Sequence, residues 1–509
     1  MRDFVEVFIN GQRHEVRGAQ AFWMVSDYLR YLAHLTGTKI VCAEGDCGAC
    51  AVLVGTPNQK GDALEYRAVT SCIAMMGQMD GRHVVTVEGL AEMGESHGVH
   101  PVQASMAACN GAQCGYCTPG IVVALAGMCE SRKVAGGGDT FTDSEVRQGL
   151  TGNLCRCTGY EAILLAGTSV KCGEVRGVNE HFHSVEMMAA LREAWQSELR
   201  VEANGKTFYK PISMASACAF KLREGTCAVI SGGTDIGVML NKGRIDPPGF
   251  LSMNGVRGFG DVEVTETELV VGGGATLAQL EAATRETLPA LHEIMRRHGS
   301  PLIRNAGTLA GNIVNGSPIG DTMPALMVLD AEVELTGIGG ARRVNMNQFY
   351  VGYRQTVMKP DELVTRIFIP RLQSGESLRL YKVSKRWDMD ISTFAAAFWM
   401  KLGKAPSGNG HAGGNGHAVA AIDEVRIAYG GVGPVILRLA KTEAFLRGKA
   451  FSEELLRQAG EIAVKEITPI SDVRSSADYR FQLAENMPLK WYHEVSNGHQ
   501  TAASGRSEG

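Results

Sequence analysis

No apolar run in this 509-residue chain approaches the roughly 20 residues that a helix needs to cross a bilayer. An excess of charge is also missing. Fifty basic and 54 acidic residues leave a net charge of −4, which gives no electrostatic case for nucleic acid or an anionic membrane as partner. Residues 1–10 (MRDFVEVFIN) lack the basic start and long apolar core of a signal peptide, and alternate apolar and polar residues like a strand. No internal solenoid repeat is visible. What is present is ordinary for a soluble protein: 45% apolar and 20% charged residues, in a chain too long for one core and so divided into several domains. Thirteen cysteines, an odd number, without an export signal favour reduced thiols and metal ligation over a disulfide framework. The expected location is the cytoplasm.

Residues 1–82 read as short strands, Val5–Ile9, His14–Val16 and Ala51–Val54, with an Asn10-Gly11 hairpin turn and a helix over Ser26–Leu35. Residues 83–170 read as helices: Gln103–Asn110, Pro119–Cys129, Ser144–Leu150 and Tyr160–Thr168. Thr142-x-x-Glu145 has the form of a capping box, and Pro119 suits a first helical turn. A linker with a helix over Ser184–Leu199 is expected at 171–200. Beyond it, residues 201–376 alternate apolar strands with glycine-rich loops, and 377–490 alternate strands and helices. Residues 403–417 (GKAPSGNGHAGGNGH) have too few apolar groups to pack and are expected to form a mobile surface loop. Residues 491–509 are expected to be a disordered tail.

Eight cysteines form two sets. Cys42, Cys47, Cys50 and Cys72 have the C-x4-C-x2-C…C spacing of a plant-type 2Fe–2S ferredoxin. The residues between them include Gly45, Gly48 and Ala49, which let backbone amides approach bridging sulfides. Zinc sites more often use two short knuckles, which this spacing does not match. The second set pairs Cys114 and Cys117 with Cys155 and Cys157, each pair at the opening of a helix, where thiolates gain from free amides and the dipole. Alone, that set suits zinc or iron; beside the first set, a second 2Fe–2S cluster is favoured. Cys109, Cys129, Cys172, Cys218 and Cys227 lack partner spacing and read as small buried hydrophobes.

Ser231-Gly232-Gly233-Thr234-Asp235 follows the strand Ala228–Ile230, a geometry in which successive amides face a phosphate. The loop is neither G-x-G-x-x-G nor a P-loop. A second stretch, from Arg304 to Asn312, followed by Ser317-Pro318 and Asp321, has the small hydrogen-bonding residues that suit a nucleotide lying along the backbone. Tight turns are the alternative for either loop.

The order of these parts resembles the small subunits of bacterial two-subunit xanthine dehydrogenases, in the molybdenum hydroxylase family. The segments that carry the resemblance are CAEGDCGAC, QCGYCTPG, TGNLCRCTGY, SGGTDIG, RNAGTLAGNIVNGSPIGD, GYRQT, YKVSKRWDMDIS and PISDVRSSADYR. It implies a multidomain α+β chain: a β-grasp ferredoxin domain, a four-helix-bundle iron–sulfur domain, an FAD domain of the vanillyl-alcohol oxidase (PCMH) type, and a C-terminal domain like that of CO dehydrogenase flavoprotein. Val229, Ile230, Ser231, Gly232, Gly233, Thr234 and Asp235, with Thr308, Leu309, Ala310, Gly311 and Asn312, would line the FAD pyrophosphate and ribityl chain. Asp321 would hold polar groups of the cofactor, Val364 would lie near the adenine, and Lys382 would approach the flavin. Gln113 would face the pterin of a partner, and Arg386, Trp387 and Asp388 are candidates for NAD+ contacts. Gly233 departs from some relatives, which have asparagine there, and the 403–417 insert is longer than the resemblance requires.

By that resemblance the chain is an electron-transfer subunit. A molybdopterin-binding large subunit, in a heterotetramer of two small and two large chains, would hydroxylate hypoxanthine and xanthine, and electrons would leave through two clusters and FAD to NAD+. Three alternatives stand beside it: an aldehyde or other N-heterocycle hydroxylase of the same build, a stand-alone iron–sulfur flavoprotein, and a structural zinc module.

Overall fold

The computed structural model describes residues 1–58, 61–94, 99–403 and 421–503, with side chains up to 497. The expected loop at 403–417 lies outside the described residues apart from Gly403.

Strands β1 (Phe4–Ile9) and β2 (Gln12–Arg17) form the hairpin turned by Asn10-Gly11. After α1 (Val25–Tyr31) come β3 (Ala51–Pro57), β4 (Leu64–Thr70) and β5 (Arg82–Val85), in a sheet of order β2-β1-β5-β3-β4. Only β1 and β5 run parallel, the β-grasp arrangement with α1 across the sheet. Five of the six β1 residues are buried, so the strand has core on both faces.

Helices α2 (Val87–Glu92), α3 (Pro101–Ala108), α4 (Thr118–Ala135), α5 (Asp143–Gly149) and α6 (Glu161–Ser169) cover one face of that sheet. Val122, Leu125 and Cys129 of α4 join Phe8, Leu53 and Tyr66 of the sheet in one core. Pro119 lies in the first turn of α4, and the Thr142–Glu145 capping box opens α5.

Residues 171–200 are not a free linker. They form α7 (Val178–Phe182) and α8 (Val185–Gln196), and Val178, Met187, Met188 and Leu191 enter the same core. Their polar outer face makes the segment look like a connector in sequence. The expected divisions at 82/83, 200/201 and 376/377 each cut a strand, because strand pairing crosses the changes in composition.

The other face of the β-grasp sheet packs on the next unit. There β6 (Leu199–Ala203), β7 (Lys206–Lys210), α9 (Met214–Arg223), β8 (Ala228–Ile230), α10 (Thr234–Asn241) and β9 (Gly249–Ser252) form a sheet of order β6-β7-β9-β8. Phe208 and Phe250 share a core with Val5, Val7 and Met76. Asp80 fastens this joint, pairing with Arg2 at 2.7 Å and Lys210 at 2.6 Å.

A second sheet, order β10-β11-β16-β12-β13, is antiparallel throughout. It is built from β10 (Val262–Val264), β11 (Glu268–Gly272), β12 (Glu332–Gly337), β13 (Gly340–Asn345) and β16 (Leu363–Pro370), with the small hairpin β14 (Tyr350–Gly352) and β15 (Gln355–Thr356) beside it. Between β11 and β12 lie α11 (Leu277–Thr287), α12 (Pro289–Arg296), α13 (Pro301–Arg304), α14 (Leu309–Asn315) and α15 (Met323–Val328).

The last unit is the antiparallel sheet β17 (Glu376–Val383), β18 (Phe394–Leu402), β19 (Ile422–Gly430) and β20 (Leu437–Arg438), covered by α16 (Ala440–Leu446), α17 (Glu453–Ala463) and α18 (Ala477–Ala503). The expected tail at 491–509 is helix as far as Ala503, the end of α18, and residues 504–509 lie outside the described residues. Ala484, Met487, Trp491 and Val495 recur on one helical face and are buried, with Trp491 stacked on Phe398 at 4.7 Å. Among the described residues, no helix is long and apolar enough to cross a membrane.

Candidate functional site

The two cysteine sets fold into two strings of neighbouring thiols. In the first, Cys47 adjoins Cys42, Cys42 adjoins Cys72, and Cys72 adjoins Cys50. Three come from the loop before β3, where Ala43, Gly45 and Gly48 are left-handed with φ of 54°, 80° and 68°. Residues in that region turn amides to one side, and the Glu44 amide donates to Cys42 Sγ at 3.4 Å. Cys72 arrives from the 3-10 turn Ser71–Ile73, fastened where the Ser71 hydroxyl donates to the Cys50 carbonyl at 2.6 Å. Hydrogen bonds from Cys47 and Cys72 hold the Cys42 thiol well below its ordinary value, and that from Cys72 lowers Cys50. The donors, Cys47 and Cys72, are raised in return.

In the second string, Cys114 Sγ lies 3.7 Å from Cys157 Sγ, which lies 3.9 Å from Cys155 Sγ. Cys117, just before α4, is next to Cys155; burial and then that neighbour push it up to about 12. Burial alone would raise Cys155, but hydrogen bonds from the Thr158 hydroxyl and amide outweigh it and bring the thiol to about 7. Cys114 and Cys157 are exposed, and so is Gln113.

The two strings touch through backbone. The Leu154 amide, next to Cys155, donates to the Cys47 carbonyl at 3.0 Å, and Asn153 Nδ2 donates to the Gly48 carbonyl at 3.3 Å. A Cβ on Gly48 would lie 2.5 Å from Asn153 Nδ2, so only glycine fits this approach.

The first string also touches α10, the helix that the first glycine-rich loop opens. Val229 and Ile230 end β8, Ser231, Gly232 and Gly233 turn, and Thr234 and Asp235 open α10. A Cβ on Gly232 would sit 1.9 Å from the Ala306 carbonyl, so the loops at 231–235 and 304–308 lie in backbone contact. Gln78 Nε2 donates to the Ser231 and Gly232 carbonyls at 3.4 Å each. At the far end of α10, Asn241 Nδ2 donates to the Ala43 and Cys72 carbonyls at 2.9 and 2.8 Å. Thr308 caps α14, accepting from the Gly311 amide at 3.1 Å, while Leu309 and Ala310 are buried. Asn312 accepts from the Thr322 hydroxyl at 2.7 Å.

Asp321 and Lys382 meet each other at 2.7 Å, and Lys382 Nζ also donates to the Arg297 carbonyl at 3.0 Å. Ser392 donates to the other Asp321 oxygen at 2.5 Å. Burial would raise Asp321, but His298 and Lys382 hold it well below the usual carboxylate range. Val364 is buried in β16, with its carbonyl 2.3 Å from where a Cβ on Gly273 would stand. Arg386, Trp387 and Asp388 are exposed after β17, and the Arg297 guanidinium lies 4.0 Å from the Trp387 ring centre. Gln78, Asn153, Asn241, His298 and Ser392 were not singled out in sequence. Asn153 and Ser392 lie inside the segments TGNLCRCTGY and YKVSKRWDMDIS but were given no role of their own; all five contact residues far away in the chain.

Four families match consecutive stretches of the chain. They are the 2Fe-2S iron-sulfur cluster binding domain (residues 7–77), the 2Fe-2S binding domain (86–168), the FAD binding domain in molybdopterin dehydrogenase (201–372) and the CO dehydrogenase flavoprotein C-terminal domain (379–495). The chain belongs to the molybdenum hydroxylase family, as its iron–sulfur and flavin portion. Within that family it is similar to Xanthine dehydrogenase 1 of Arabidopsis thaliana, 28% identical over 98% of this chain and 40% of the relative. It is also similar to xanthine dehydrogenase of Emericella nidulans, 27% identical over 97% of this chain and 39% of the relative. The chain thus spans about two fifths of the length of these curated relatives. Among solved structures, Cu,Mo-CO dehydrogenase aligns at 25% identity and a TM-score of 0.50, over 56% of this chain and 94% of that one. Quinoline 2-oxidoreductase from Pseudomonas putida 86, at 21% identity, a TM-score of 0.50, and 57% and 96% coverage, shares the fold.

Two 2Fe–2S binding domains and an FAD-binding domain are therefore present. The residues fit these groups. Each string offers four thiols without a disulfide, the ligand number of a 2Fe–2S cluster. The backbone contact at Gly232 leaves no side chain between the two loops that would carry a dinucleotide.

Proposed function

We propose that this chain is the electron-transfer part of a xanthine dehydrogenase, working in the cytoplasm beside a molybdopterin-binding large subunit in a heterotetramer. In this reading Cys114, Cys117, Cys155 and Cys157 hold the cluster toward the partner, and Cys42, Cys47, Cys50 and Cys72 hold the cluster toward FAD. Val229–Asp235 and Thr308–Asn312 line the FAD phosphates and ribityl chain, with Asp321, Val364 and Lys382 at its other parts. When bound, the clusters supply single-electron carriage, and FAD supplies the exchange between single electrons and the hydride that NAD+ requires.

The observation that carries the reading is the succession of contacts. The amide beside Cys155 bonds the carbonyl of Cys47, and Asn241, at the end of the helix opened by the 231–235 loop, bonds the carbonyl of Cys72. The second thiol set, the first thiol set and the helix opened by the glycine-rich loop thus follow one another in contact, which supports an arrangement in series. The chain's own residues act by position: thiols set ligand spacing, glycines admit backbone to the cofactors, and the buried Lys382–Asp321 pair fixes β17 against the segment after α14. No side chain in this chain is required as nucleophile or general base.

The names of the curated relatives support purine as substrate. A second reading, favoured by likeness in fold to quinoline 2-oxidoreductase, is another N-heterocycle or aldehyde hydroxylase with a different acceptor. The test is the purified complex given xanthine and NAD+. NADH and urate together support the first reading; turnover with quinoline or an aldehyde but not with xanthine supports the second.

A further inference from the structure

The first thiol string is assembled from two separate pieces of chain. Cys42, Cys47 and Cys50 lie in one loop, and Cys72 lies on a turn beyond β3 and β4. One side chain from a different domain bridges them. Asn241 Nδ2 has two hydrogens and meets two acceptors: the Ala43 carbonyl, next to Cys42, at 2.9 Å, and the Cys72 carbonyl at 2.8 Å.

Backbone contact fixes the reach of Asn241. One turn earlier in α10, a Cβ on Gly237 would fall 2.1 Å from the Ile73 carbonyl, so the helix rests directly on the turn that carries Cys72. The next residue, Lys242, pairs with Glu44 of the cysteine loop at 2.9 Å. Val238 of the same helix packs on Cys50, Cys72 and Ile73. At its other end α10 begins at Gly233, in the glycine-rich loop that Gln78 of the ferredoxin domain holds by its carbonyls. The helix is therefore a strut between the two sites.

The geometry points to Asn241 as a positioning residue that tunes the first cluster, an inference that rests on the iron–sulfur reading of Cys42, Cys47, Cys50 and Cys72. A carbonyl that accepts a hydrogen bond presents less negative charge to its surroundings. Asn241 relieves two such carbonyls, both within one residue of a ligand thiol, and holds them in orientation. Without it, two undamped negative dipole ends lie beside the cluster, and adding an electron becomes harder. Cluster potentials respond to hydrogen bonding and local charge of this kind.

The test is a redox titration followed by electron paramagnetic resonance on the full chain with its co-purifying partner. Asn241→Leu removes both donors without adding charge, and Asn241→Asp keeps the shape while replacing the donors by a carboxylate. The midpoint of the first cluster is expected to move negative in both variants, further in Asn241→Asp. There the ratio of reduced to oxidised cluster at fixed potential should fall about tenfold, about 59 mV for one electron. The second cluster should not move, and Asn241→Gln should recover part of the shift. Unchanged midpoints with full iron content would overturn the inference, as would equal shifts of both clusters or loss of iron without a shift in the cluster that remains. The outcomes separate from failure of the underlying reading, because a wild-type chain without iron or flavin refutes that reading before any variant is made.

Discussion

Lys382 Nζ lies 2.7 Å from Asp321 Oδ2, with both side chains at least nine-tenths buried. β17 supplies the lysine and the segment after α14 supplies the aspartate, so the pair ties the C-terminal unit to the FAD-binding unit. Removing one member strands the other in the interior. Asp321→Ala is expected to destabilise the chain by about 3–5 kcal/mol, while Asp321→Asn with Lys382→Met costs less than the single-site effects combined. Denaturant unfolding of the parent, the three single variants and the double variant checks this.

The same pair sets a pH dependence. Asp321 is held below its ordinary value, so its stabilisation is complete above the usual carboxylate range and is lost as pH falls below that range toward the folded-state value. Acid unfolding of the parent should therefore steepen below about pH 4, the usual Asp value, and Asp321→Asn should flatten that limb. Identical acid limbs would remove the pair from the account.

Substitution of one thiol should empty one cluster only. Cys50→Ala is expected to leave Cys114, Cys117, Cys155 and Cys157 able to bind iron, and Cys117→Ala the reverse, each lowering iron from about four to about two per chain. Iron analysis with visible spectra measures it.

Gly232→Ala places a methyl 1.9 Å from the Ala306 carbonyl, a backbone atom that cannot swing away. The two loops must part, costing about 1–3 kcal/mol. FAD content of the purified variant should fall sharply while iron content holds.

Trp491 is fully buried and stacked on Phe398 in a helix that its polar surroundings disguise. Trp491→Ala is expected to destabilise the C-terminal unit by about 3–5 kcal/mol. A change below 1 kcal/mol would return this segment to the tail that its sequence suggests.

These contrasts show what was legible in the sequence. Thiol spacing within a loop is local chemistry, so Cys42, Cys47 and Cys50 announced themselves, as did the Thr142–Glu145 cap and the Asn10-Gly11 turn. Burial at 171–200 and along α18 was hidden because apolar residues interleaved with charged ones are a weak signal without the partner surface. Asn241 was invisible for a different reason. Its meaning lies in two carbonyls from another domain, and an asparagine at a helix end is ordinary by itself. Lys382 and Asp321 could be named only through family resemblance, and nothing in composition paired them.

The central claim is that the two thiol sets stand in series with the flavin. Its most direct test is photoreduction of FAD in the Cys72→Ala complex, with both clusters followed by electron paramagnetic resonance after freezing. The account predicts that the flavin is reduced while the cluster at Cys114, Cys117, Cys155 and Cys157 stays oxidised, although in the parent complex both clusters accept electrons. Reduction of that second cluster at the parent rate, with the first cluster missing, would contradict it.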